Sequence, residues 1–184
     1  RIWAVGFSIG NKGYVGTGYS YTSSYPYYAM FKDFWEYDPA SDVWTQRADY
    51  GGGVRLGAVG FSIGSKGYIG TGLDLADNFY NDFWEYDPPT NVWSKKADFG
   101  GEARESAVAF SIGSKGYIGT GFDNSYISKN DFWEYDPATD SWTQKVDFGG
   151  TARNWAVGFS IDNKGYIGTG AADDGVKKDF WEYD

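Results

Sequence analysis

Large and small side chains alternate along Ala4–Ile9, "AVGFSI". In a strand, successive side chains point to opposite faces. Val5, Phe7 and Ile9 therefore share one face, and Ala4, Gly6 and Ser8 the other. A sheet with one wet face carries polar residues on its second side. Here the second side is small instead, which predicts a sheet buried on both faces. The bulky residues of one sheet then fill the space over the small residues of the next. Three further strands are predicted: Lys12–Gly18 ("KGYVGTG"), Asp33–Asp38 ("DFWEYD") and Val43–Gln46 ("VWTQ"). In the third, Trp35 and Tyr37 share one face, and Phe34 and Glu36 the other. Turn signals fall at Gly10–Asn11 and Pro39–Asp42. No segment shows a helical period.

The same unit recurs with a period of about 49 residues. "KGYIGTG" returns at Lys66, Lys115 and Lys164, and "DFWEYD" at Asp82, Asp131 and Asp179. Trp44, Trp93 and Trp142 follow at a fixed offset, and "RADYGGGVR", "KADFGGEAR" and "KVDFGGTAR" end at Arg55, Arg104 and Arg153. A four-stranded unit that buries both faces against copies of itself is a propeller blade. The expectation is an all-β propeller over residues 1–184, with blades at 1–46, 55–95, 104–144 and 153–184. The last blade lacks its outermost strand. Three closures fit that strand count: an arc of a larger ring, a four-bladed ring with one short blade, or a ring assembled from several chains. The first is the reading adopted, because a bare strand edge invites aggregation.

These motifs resemble kelch repeats. An Arg precedes the first strand, a Tyr sits in the second, "YDP" closes the third, and a Trp opens the fourth. Arg55, Tyr68, Tyr86-Asp87-Pro88 and Trp93 show this in one unit. The departure is at the family's double glycine, which here reads Gly16-Thr17-Gly18. The resemblance spans essentially the whole chain and implies a propeller, but a propeller scaffold hosts many activities. "DFWEYDP" and "ADFGG" resemble kelch arrays of bacterial surface and secreted proteins, which implies an extracellular or cell-surface location.

Composition narrows the chemistry. Aromatics make up 21% of the chain, and the net charge is −9 with scattered Lys and Arg, so nucleic acid is not an expected partner. No apolar run reaches the roughly 20 residues of a membrane-spanning helix, and no membrane insertion is expected. The absence of Cys excludes thiolate chemistry and disulfides. The absence of His removes the commonest general base and transition-metal ligand. The copper site of galactose oxidase, which shares the kelch architecture, uses His and Cys and is excluded with them. No catalytic residue, cofactor or metal is assigned. The loop acids Asp74, Asp77, Asp123, Asp173 and Asp174 lack calcium-loop spacing.

Two recurring sets invite a functional reading. Arg1, Arg55, Arg104 and Arg153 should ring the axial mouth and suit an anion. Their recurrence favours a structural role instead, each paired with a repeated acid such as Asp49, Asp98 or Asp147. Glu36, Glu85, Glu134 and Glu182 occupy one position in each blade, too far apart to converge on a substrate. They are expected to bond between blades. The tryptophans Trp35, Trp84, Trp133, Trp181, Trp44, Trp93 and Trp142 are expected in the core.

Function breaks symmetry, so the segments that differ between repeats carry the candidate site. These are Tyr19–Lys32, Leu73–Asn81, Phe122–Asn130 and Ala171–Lys178, with the pairs Ile2-Trp3, Leu56-Gly57, Glu105-Ser106 and Asn154-Trp155. All should emerge on the Arg-bearing face, as loops on a rigid scaffold. Their Tyr, Phe, Asn, Asp and Ser resemble paratope chemistry. The candidate contact residues are Tyr19, Tyr21, Tyr25, Tyr27, Tyr28, Met30, Phe31, Phe79, Tyr80 and Tyr126. The expected function is non-catalytic binding or assembly, with a protein partner or other chains of a larger assembly. A glycan ligand or carbohydrate-active site with acids at the mouth is the first alternative, and a structural spacer the second. The opposing reading of the long first loop is that its rings fold back on their own blade.

Overall fold

In the computed structural model, which describes residues 1–25 and 27–184, the repeat folds as an antiparallel sheet. Blade one orders its strands Val5–Ile9, Lys12–Gly16, Phe34–Asp38 and Val43–Arg47 from the axis outward. Blade two uses Val59–Ile63, Lys66–Gly70, Phe83–Asp87 and Val92–Lys95. Blade three uses Val108–Ile112, Lys115–Gly119, Phe132–Asp136 and Ser141–Gln144. Blade four has three strands, Val157–Ile161, Lys164–Gly168 and Phe180–Tyr183. The four inner strands pack in sequence order around a common axis. Their small residues, among them Ala4, Gly6, Ala58, Gly60, Ala107 and Ala156, line the axial space.

One joint repeats between neighbouring blades. Val5 and Phe7 of blade one press on Gly60 of blade two, while Phe7 and Ile9 cover Gly67. Phe61 then covers Gly116, and Phe110 covers Gly165. This is the large-over-small packing that the alternation predicts. A methyl group on any of these glycines would occupy space already filled, by the Val5 methyl at Gly60 and by a ring at the others. Aromatic pairs complete each joint: Phe34 meets Tyr86 and Trp93 edge-on at 4.9 and 5.0 Å, and Phe83 meets Tyr135 and Trp142 at 4.8 and 5.0 Å.

The two ends of the fan lack this joint. Val157, Phe159 and Ile161 of blade four are exposed, and among the described residues no side chain of another blade covers Gly6 or Gly13 of blade one. Trp44 is exposed for the same reason, and Trp181, edge-on to Phe148 at the joint with blade three, is exposed because blade four has three strands; both depart from the expected core position. Trp84, Trp93, Trp133 and Trp142, at internal joints, pack on the core.

The second strand stops at Gly16 rather than Gly18 because the chain turns sharply there. Thr17, Thr71, Thr120 and Thr169 take φ of 59–63°, a left-handed conformation that disfavours β-branched residues. The glycine that follows is also left-handed, and a Cβ on Gly121 would lie 2.9 Å from the Ala107 backbone nitrogen. Thr120 is buried, and its Oγ1 has no hydrogen-bond partner. Thr120→Gly should therefore leave stability unchanged or raise it by up to about 1 kcal/mol. A denaturant midpoint that falls by more than that would show that the threonine side chain carries packing the turn needs.

Candidate functional site

The arginines are not free to bind an anion. Arg55, Arg104 and Arg153 are fully buried. Arg104 donates from Nη1 and Nη2 to Asp131 at 2.5 and 2.7 Å and to the Thr120 carbonyl at 3.0 Å. Arg55 does the same with Asp82 and Arg153 with Asp179, while the exposed Arg1 donates from Nη2 to both oxygens of Asp33. The partner acid is thus the first residue of each DFWEYD motif, not Asp49, Asp98 or Asp147. That acid also accepts from the indole two residues on, as Asp131 does from Trp133 at 2.8 Å. The Glu set corrects likewise. Glu36 accepts from Tyr14, Lys12 and Arg47, all of its own blade. Glu85, Glu134 and Glu182 accept from Tyr68, Tyr117 and Tyr166. Register decides this, because Tyr14 lies directly opposite Glu36 across the sheet. Burial works against the charge of Glu36, yet bonds from Arg47, Lys12 and Tyr14 hold its carboxyl down at about 2. In the recess of about 460 Å³ on the far side of the blades, the Glu36 carboxylate is therefore matched by Lys12 and Arg47.

The symmetry-breaking residues gather at the other end of the axis. Tyr19–Tyr21 and Tyr28–Met30 pair as a short hairpin, so the long first segment is not an unstructured loop; Pro26, within it, lies outside the described residues. Four of its rings do not fold back: Tyr21, Tyr25, Tyr27 and Tyr28 are exposed, while Tyr19 and Phe31 pack on Trp3 and Arg1 of their own blade. Tyr25 and Tyr27 meet edge-to-face at the tip, 6.2 Å apart. Nearer the axis, Tyr19, Tyr21, Tyr28 and Met30 form one wall of a cleft of about 350 Å³. Leu73, Leu75 and Asp77 of blade two and Glu105 and Tyr126 of blade three form the others, with Trp3 at the mouth.

Other candidates lie elsewhere. Phe31 sits 4.4 Å from the Arg1 guanidinium and Tyr80 3.8 Å from that of Arg55, so both support the arginines. Phe79 packs edge-on to Phe122 and Tyr126 beneath the cleft. Asp74 and Asp123 brace their own turns through backbone bonds from Ala76 and Asn78 and from Ser125 and Ile127.

Residues absent from the candidate set complete the site. The first member of each variable pair bridges the residue after the Gly-Thr-Gly turn: Ile2 to Tyr19, Leu56 to Leu73, Glu105 to Phe122, Asn154 to Ala171. The second member is left-handed in every blade, with φ of 52–62° at Trp3, Gly57, Ser106 and Trp155. Such strain in non-glycine residues concentrates at functional positions. Here it turns the chain across the mouth, where Ser106 donates its backbone N–H to Gly57 and Trp155 to Ser106. Trp3 and Trp155 stack at 6.4 Å, although they belong to the first and last blades.

Glu105 is the unusual member. It is 5% exposed, and its Oε2 is buried against Gly57 with no hydrogen-bond partner among the described residues. Burial and then the charge of Asp77 push its carboxyl up to about 7. An acid raised in the folded state contributes stability below its ordinary range and loses it as pH rises through the raised value. Wild type should thus lose roughly 2–3 kcal/mol between pH 5 and pH 8 from this group. Glu105→Gln should remove that loss, matching wild type at pH 5 and exceeding it at pH 8 in urea unfolding. Parallel pH profiles for the two proteins would contradict the assignment.

Antiparallel blades, three of four strands and one of three, set around one axis with a cleft at its mouth define a β-propeller. Among solved structures, that of YjhT superposes with a TM-score of 0.83 at 19% identity, over 99% of this chain. The chain spans 62% of the length of that structure. No known family profile and no curated protein sequence matches the chain.

Proposed function

We propose that this chain is a kelch-type, non-catalytic binding module that presents the aromatic cleft to a protein partner, outside the cell or at its surface. The observation that carries the reading is the convergence of Trp3, Tyr19, Tyr21, Tyr28 and Tyr126 on one cleft, built where the repeats differ. Exposed Tyr and Trp give large, rigid contact area at low entropic cost. The recurring charges, by contrast, are matched within the scaffold. Panning a random peptide library on the full chain tests this. Peptides enriched on wild type should bind Tyr28→Ser/Tyr126→Ser at least about tenfold more weakly, a loss of about 1.4 kcal/mol. Unchanged binding would refute the reading.

Glu105 supports a second reading, a carbohydrate site. A carboxyl held up to about 7 beside a second acid, among aromatic faces, suits general-acid work on a glycoside. Turnover of aryl glycosides, lost in Glu105→Gln, would favour it over the first.

A further inference from the structure

The cleft holds a buried acid that no cation of the described residues matches. Around the axis, Arg104 is matched by Asp131, and Lys129 by Asp123 and Glu102. Glu105 has no such partner. Its Oε2 is buried and unbonded, and the one charged group acting on it is Asp77, which repels. Leaving a buried acceptor unsatisfied is costly, and more so when it is charged. What the site lacks is a cation. The walls specify its carrier: Leu56, Leu73 and Met30 are apolar, and Trp3, Tyr28 and Tyr126 offer ring surface. Alkyl stems pack on such walls while the charged head reaches a polar end, and aromatic faces attract cations.

We propose that the cleft receives a lysine or arginine side chain of a protein partner, its stem against Trp3, Tyr28 and Tyr126 and its head at Glu105 and Asp77. This rests on the binding reading above and sharpens it: the partner is anchored by one basic residue. Charge complementarity favours this over a neutral glycan, which would satisfy the orphan oxygen but leave the repulsion between the two acids.

The probes are Nα-acetyl-L-lysine methylamide and its arginine and norleucine analogues. They are titrated into the full chain with carbon-13 at the glutamate carboxyls, following Glu105 by NMR. The cationic probes should shift the Glu105 signal saturably, with a Kd on the order of millimolar, and norleucine should bind about tenfold more weakly. Asp77→Asn should weaken the cations and leave norleucine unchanged. Glu105→Gln, read on Tyr126 and Trp3 signals, should abolish the preference for charge. Equal binding of norleucine, no saturable shift with either cation, or a larger shift with methyl glycosides would each overturn the proposal. If the cations fail while peptide selection still depends on Tyr28 and Tyr126, the basic anchor is refuted and the binding reading stands. If selection ignores the cleft, the binding reading falls first.

Discussion

Phe61→Ala and Phe110→Ala should each lower the unfolding free energy by about 3–5 kcal/mol, whereas Phe159→Ala should cost under about 1 kcal/mol. The three residues occupy the same position in successive blades and pair with equivalent tyrosines, Tyr68, Tyr117 and Tyr166. Their surroundings differ. Phe61 and Phe110 are 4% and 3% exposed because each is pressed onto a glycine of the next blade, while Phe159 is 39% exposed with no blade beyond it. The glycine side of the joint should show the mirror result. Gly116→Ala must displace the Phe61 ring and should cost about 1–3 kcal/mol, whereas Gly13→Ala meets nothing closer than 3.8 Å. Urea unfolding of the five variants checks the pattern. Equal losses at all three phenylalanines would mean that stability resides within blades rather than in the joints.

Arg104→Met should be as damaging, at about 3–5 kcal/mol, because it strands the Asp131 carboxylate in a partly closed site. Arg104 also holds the Thr120 and Glu102 carbonyls and packs on Phe99, so both packing and hydrogen bonding are lost. Adding Asp131→Leu should recover much of the loss, since the stranded charge is the larger part of it. The pH dependence has a definite sign. Burial alone would raise the Asp131 carboxyl, but bonds from Arg104 and Trp133 and the charge of Arg104 hold it below its ordinary value. Stability from this pair is therefore present above the ordinary carboxylate range and is lost as pH falls through the depressed value. Wild type should weaken in acid more steeply than the double variant. Identical acid profiles would contradict this role.

Period-two alternation made the strands, the blades and the large-over-small joint legible in the sequence, because a strand's faces follow directly from its order of residues. The ion pairs were less so. Asp98 lies near Arg104 in sequence, but the topology carries Asp131 onto it from the start of the third strand. The Glu36–Tyr14 bond needed only the cross-strand register, which the repeated "KGY" and "DFWEYD" blocks contain. The hairpin at Tyr19–Met30 has a visible signal in Tyr19, Tyr21, Tyr28 and Met30 at every second position. The cleft was half visible. Its tyrosines stand out as unrepeated residues. Glu105 stood out only as one of eight non-recurring positions after the arginines. What makes it distinctive is a buried carboxyl oxygen without a partner among the described residues, which depends on where Gly57 lets its carboxyl settle.

On the proposed function, recurring residues build the scaffold and the unrepeated cleft binds. The most direct measurement compares the affinity of wild-type-selected peptides for the wild-type chain and for Tyr28→Ser/Tyr126→Ser, with urea midpoints measured alongside. Both side chains are exposed, so the midpoint should hold while affinity falls at least about tenfold. Affinity that survives with the midpoint, or falls only as the midpoint falls, would contradict it.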